Sequence, residues 1–146
     1  MGKVSKLEYI WLDGFEPTQS LRSKTLIRKK FSGKLKDCPD WSFDGSSTKQ
    51  ADGSKSDCIL KPQRIYNHPC KDRHFFILCE VFNADGTPHT TNNRWELRQL
   101  DSTIIDDYWI SFEQEYFMMA GLRPTGFPPG GYPKPQGEYY CGIGYE

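Results

Sequence analysis

Two carboxylates stand two residues apart in Phe112-Glu113-Gln114-Glu115-Tyr116, inside a stretch rich in aromatic side chains. On an extended strand, residues i and i+2 project to the same side, so Glu113 and Glu115 would share a face about 7 Å apart. That distance is too long for two carboxylates sharing one proton. It suits two neighbouring hard divalent ions, Mg²⁺ or Mn²⁺, each taking one oxygen ligand. Phe112, Gln114 and Tyr116 would point the other way, into a core. A Glu-x-Glu pair on a strand is also a common solvated face, and spacing alone leaves both readings open.

The second candidate is Trp41-Ser42-Phe43-Asp44-Gly45-Ser46-Ser47-Thr48. Asp-Gly-Ser-Ser is ordinary turn chemistry, with the carboxylate of Asp44 accepting from nearby backbone amides. Trp41 and Phe43 would anchor such a loop while the small polar residues reach outwards. Gly142-x-Gly144 is only a fragment of a glycine fingerprint. Without a following strand-to-helix context it does not read as a dinucleotide site.

These side chains need elements behind them. Lys6–Leu12 alternates with Leu7, Tyr9 and Trp11 on one side and stops at the turn signal Asp13-Gly14. Leu21–Lys30 reads as a second extended segment with a solvated basic face. Asp57–Tyr66 and His74–Asn83 are further strands, and Phe75, Phe76, Ile77, Leu78, Val81 and Phe82 make the latter apolar enough to be central. Turn residues from Asn83 to Pro88 close it, which gives a small sheet-dominated domain over 1–88. Leu97, Leu100 and Ile104 fall at helical spacing, so Asn93–Ile105 reads as a short helix capped by Asn92 or Asn93 and ended by Asp106-Asp107. Tyr108–Met119 reads as a strand. The Gly- and Pro-rich residues 121–137 form a long loop, and Tyr139–Gly144 is a last apolar stretch. One or two strands cannot bury both faces of a sheet, so 89–146 reads as a domain begun and not completed.

Nineteen basic residues balance nineteen acidic ones, leaving no global basic footprint for nucleic acid. The longest purely apolar run, Phe75–Cys79, is far below the ~20 residues of a membrane-spanning helix. Glu8 and Asp13 interrupt any secretory leader, and Lys6 stands where a myristoylation signal has Ser or Thr. Five cysteines (Cys38, Cys58, Cys70, Cys79, Cys141) include no C-x-x-C pair, which favours reduced thiols in a cytoplasmic protein. His68, His74 and His89 have no i, i+4 partner and read as surface histidines rather than zinc ligands.

Taken in order, these segments resemble a known family. Leu7–Gly14 followed by Leu21–Thr25 is similar to the opening of a type II glutamine synthetase. So are Trp41–Thr48 with Ser56–Pro62, Asp85–His89 with Asn92–Arg94, Phe112–Tyr116, and Gly126-Phe127-Pro128 through Pro135–Gly142. The resemblance covers essentially the whole chain. Ile110-Ser111 depart from the aromatic-glycine pair usual before the Glu-x-Glu strand, and Tyr145-Glu146 do not continue the usual sequence.

The resemblance implies an α+β architecture: a β-grasp domain over 1–88, then a linker helix and the incomplete start of the catalytic domain over 89–146. It implies ATP-dependent joining of ammonium to glutamate through a γ-glutamyl phosphate, with Mg²⁺ or Mn²⁺, in a homo-oligomer of stacked rings. Glu113 and Glu115 match the glutamates that the family places on two different ions. Asp44 matches the loop aspartate that reaches a neighbouring subunit's active site to bind ammonium and take its proton, and Ser46 lies on that loop. Trp109 matches a tryptophan near the nucleotide. Most of the ATP site and the remaining ligands lie further along in the family. The chain alone is therefore expected to be inactive, and the alternative is a non-catalytic module that associates with full-length subunits.

Overall fold

The structure, a computed structural model, describes residues 3–100 and 108–131 and divides into two compact units, Met1–Ile105 and Asp106–Glu146. The first unit is built on a five-stranded sheet: β1 (Val4–Leu12), β2 (Leu21–Lys29), β3 (Trp41–Asp44), β4 (Asp57–Asn67) and β5 (His74–Asn83). Their order across the sheet is β2-β1-β5-β4-β3. The β1–β5 pair is parallel and the other three pairs are antiparallel. The most apolar segment, β5, is the middle strand, as its composition predicts.

Alternation sets the core. Leu7, Tyr9 and Trp11 of β1, Phe43 of β3, Cys58 and Leu60 of β4, and Ile77, Cys79 and Val81 of β5 form one buried cluster. Two strands separate β1 from β3, yet Tyr9 meets Trp41 at 5.4 Å between ring centroids and Trp11 meets Phe43 at 4.6 Å. Such contacts require the sheet to curl around its own core. The connection after β2 closes one side: Phe31 packs edge-on against Phe75, and the Tyr9 hydroxyl donates to the Pro39 carbonyl at 2.7 Å. Burial pushes that phenol's pKa well up, so the group stays a neutral donor.

The reverse face of β5 is covered by α1 (Asn93–Arg98). Asn92 caps it by accepting from the Trp95 N–H at 3.1 Å, and its amide donates to the Val81 carbonyl at 2.8 Å. Trp95 lies edge-on to Phe82, while Arg98 donates to both oxygens of the buried Glu80 at 3.2 Å. The helix is shorter than the expected Asn93–Ile105. Its anchors are Trp95 and Arg98 rather than a leucine stripe, because Leu97 and Leu100 are exposed. Ile104 and Asp106-Asp107 lie outside the described residues.

In the second unit, the strand expected over Tyr108–Met119 is absent until its last residue. Residues 108–118 are irregular, and only β6 (Met119–Ala120) pairs, with β7 (Arg123–Pro124), across a turn in which Gly121 has φ +65°. A strand exists through the ladder it makes with a neighbour, and 108–117 meets none among the described residues. Its period-2 pattern therefore has nothing to pack on, and Phe112, Tyr116 and Phe117 are exposed. The apolar stretch Tyr139–Gly144, Cys141 and Tyr145-Glu146 fall outside the described residues.

Candidate functional site

The Asp44 loop is the best-defined polar feature. It opens on β3, an edge strand paired to β4 from Trp41↔Leu60 to Asp44↔Asp57. The turn reading missed this strand, whose signal was the i, i+2 pair Trp41 and Phe43. Both rings anchor it as expected. The ammonium of Lys24 sits 3.7 Å from the Trp41 ring centroid and donates to the Ser42 carbonyl at 2.7 Å.

After Asp44 the chain makes a 3₁₀ turn, Gly45–Thr48, closed by Lys49 in the left-handed region at φ 53°. Asp44 Oδ1 accepts from the Ser46 N–H at 2.9 Å and from the Ser46 hydroxyl at 2.6 Å. These bonds hold the exposed carboxyl below the usual carboxylate range, so it is ionised at neutral pH. Ser46 thus acts on Asp44 directly. Gly45 is buried, and a Cβ there would stand 2.7 Å from Cys58 Sγ.

Residues outside the motif hold this loop down. The Gly14 N–H donates to the Thr48 carbonyl at 2.8 Å, and a Cβ on Gly14 would come within 2.4 Å of the Lys49 oxygen. Gln50 is buried and its side-chain amide donates to the Leu12 carbonyl at 3.0 Å and to Thr91 Oγ1 at 2.9 Å. His89 Nε2 lies 2.5 Å from the Gln50 carbonyl oxygen. The sequence marked Gly14 only as a turn residue and His89 as a surface histidine, because the partners of both are distant along the chain. His74 departs from the surface reading too: it is largely buried, with Nε2 3.0 Å from Glu8 Oε2.

Glu113, Glu115 and Trp109 lie in the second unit's irregular segment, where all three are exposed and Trp109 is 100 % accessible. Two carboxylates are the right donor type for Mg²⁺ or Mn²⁺ but only part of the six oxygens such ions take. Among the described residues, no three His, Cys, Asp or Glu side chains converge as a metal cluster. The donor chemistry fits; the remaining ligands would come from water, substrate phosphate or other protein groups.

The sequence resemblance implies a β-grasp domain over 1–88, and the first unit is a five-stranded sheet with a parallel β1–β5 pair. The family model for the glutamine synthetase β-grasp domain matches residues 3–84. The chain belongs to the glutamine synthetase family. A glutamine synthetase of Bradyrhizobium diazoefficiens is 50 % identical over 145 residues, which take in 96 % of this chain and 40 % of that protein. The Rhizobium meliloti enzyme is 49 % identical over 146 residues, covering 97 % and 42 %. The chloroplastic glutamine synthetase of Chlamydomonas reinhardtii is 46 % identical over 155 residues, covering 95 % and 40 %. The chain thus spans about 40 % of the length of the relatives it matches. Among the described residues, no helix is long and apolar enough to cross a membrane.

Proposed function

We propose that this chain supplies the β-grasp part of a glutamate–ammonia ligase, presenting Asp44 to ammonium at an active site completed by other polypeptide. The observation that carries the reading is the Asp44 loop: an exposed carboxylate, kept ionised by Ser46, on a turn stapled to the sheet. Such a carboxylate is a ready counter-ion for ammonium. To take its proton, the assembled site must raise its pKa, because general-base efficiency peaks near the operating pH.

In the reaction the γ-carboxylate of glutamate attacks the γ-phosphate of ATP, so two anions must approach. A bound divalent ion would supply charge neutralisation between them. Glu113 and Glu115 would hold Mg²⁺ or Mn²⁺ there, with Trp109 on the nucleotide side. The active assembly is a homo-oligomer of stacked rings in the cytoplasm, a placement supported by an odd number of cysteines without close pairs.

The test is a graft. Residues 1–100 of this chain, exchanged for the matching stretch of the Bradyrhizobium enzyme, should support glutamine formation. Asp44→Asn in the graft should lower kcat about a hundredfold or more, the scale of a lost general base. A graft equally active with Asn at position 44 would overturn the reading. The purified 146-residue chain alone should make no glutamine from glutamate, ammonium and ATP; turnover by it would contradict the need for other polypeptide.

One observation favours a second reading, a non-catalytic module that docks on full-length subunits. The exposed aromatic stretch around Phe112, Tyr116 and Phe117 is surface that another chain would cover. Failure of this chain to bind a full-length relative in a pull-down would exclude it.

A further inference from the structure

Resting on the reading of Asp44 as a site residue, we propose that His89 is a positioning residue for the Asp44 loop, acting through a closed circuit of hydrogen bonds with Gln50 and Thr91. The circuit has a single direction. The Gln50 side-chain N–H donates to Thr91 Oγ1 at 2.9 Å. The Thr91 hydroxyl, 2.8 Å from His89 Nδ1, donates its own proton there. The Thr91 backbone N–H donates to the same nitrogen at 3.1 Å. With Nδ1 accepting twice, the ring proton stands on Nε2, which donates to the Gln50 carbonyl at 2.5 Å and closes the ring of contacts.

The circuit matters because of where Gln50 sits. Its N–H and that of Ala51 both donate to the Gly45 carbonyl, at 2.8 and 3.2 Å, so the residue that His89 grips directly follows Lys49 and is bonded back to the start of the Asp44 turn. His89 is fixed in turn, its own N–H donating to the Val81 carbonyl of β5 at 3.1 Å. The middle strand of the sheet is thereby wired to the loop through one imidazole. Gly14 and Gly45 allow the loop to approach; His89 and Thr91 set where it stops.

Amide hydrogen exchange on the intact chain tests this. In His89→Phe, the amides of Gly14, Gln50 and Ala51 should exchange about tenfold faster, the scale of one lost hydrogen bond, with core β1 and β5 amides unchanged. His89→Gln, which returns an N–H near the position of Nε2, should restore most of the protection. If His89→Phe does not fold, Thr91→Val against Thr91→Ser makes the same comparison with a smaller change. Unchanged loop exchange in both His89→Phe and Thr91→Val would overturn the proposal. Equal acceleration of loop and core amides would overturn it too, since His89 would then be a general prop of the sheet. Exchange reads the loop and not turnover, so a graft that tolerates Asp44→Asn would remove the Asp44 reading while leaving this result standing.

Discussion

Asp13, at the end of β1, offers the sharpest test of how the first unit is held together. Its side chain is 0 % exposed, and it accepts from the Ser20 N–H at 2.9 Å, the Phe15 N–H at 3.2 Å and Arg22 Nε at 2.8 Å. Burial by itself pushes the carboxyl pKa up. The two backbone donors and the guanidinium outweigh it and hold the group below the ordinary range. Asp13→Asn keeps an oxygen for Ser20 and Phe15 but turns an NH₂ towards Arg22, losing one charge-assisted bond. That loss is about 1.5 kcal/mol, the low end of the scale, since the half-exposed Arg22 finds water. Asp13→Ala also strands two buried N–H groups and should cost about 4 kcal/mol. Urea unfolding followed by tryptophan fluorescence measures both. Because the folded-state pKa is depressed, the wild-type advantage over Asn is fully present above the unfolded value of about 4. It should shrink as pH falls through the lower folded value. An Asn variant as stable as wild type at neutral pH, or a gap that widens on acidification, would show that the Asp13–Arg22 pair does not hold this end of β1.

Three further outcomes are expected. Gly45→Ala should destabilise by about 1–3 kcal/mol in a thermal melt, because its methyl meets Cys58 Sγ, and Cys58→Ala should recover part of the loss. In Ser46→Ala, the Asp44 carboxyl should titrate at a higher pH by ¹³C NMR, since the Ser46 hydroxyl bond, the largest of the contacts holding it low, is gone; an unmoved titration would dismiss the Ser46 hydroxyl. Burial pushes the Cys79 thiol up to about 12 while Cys70 is exposed, so iodoacetamide at mildly alkaline pH should label Cys70 first and Cys79 only on unfolding.

The first unit was largely legible because its signals are local. Leu7, Tyr9 and Trp11 announce a half-buried strand by alternation alone, and the apolar density of His74–Asn83 announces the middle of a sheet. Asp44 and Ser46 stand out as turn chemistry two residues apart. What escaped depends on partners far along the chain. His89 and Gln50 are 39 residues apart, Gly14 carries no sign that the Lys49 carbonyl will crowd it, and α1 is fastened by Arg98 to Glu80 on another element. Tyr108–Met119 failed in the opposite sense. Its alternation is sound strand grammar, but alternation specifies a face and not the neighbour that a ladder needs.

The parallel pairing of β1 with β5 has a temporal consequence. Residues 6–10 lie beside residues 74–78, so the middle of the sheet cannot close until the ribosome has released nearly the whole β-grasp sequence. The β1–β2 hairpin, paired from Val4↔Lys29 to Leu12↔Leu21, forms from local chain and is available first. Until β5 arrives, β1 offers one open edge with Leu7, Tyr9 and Trp11 uncovered beside it. A nascent chain stalled short of residue 74 is thus a sticky hairpin, and it is the arrival of His74–Asn83 that converts it into a protein.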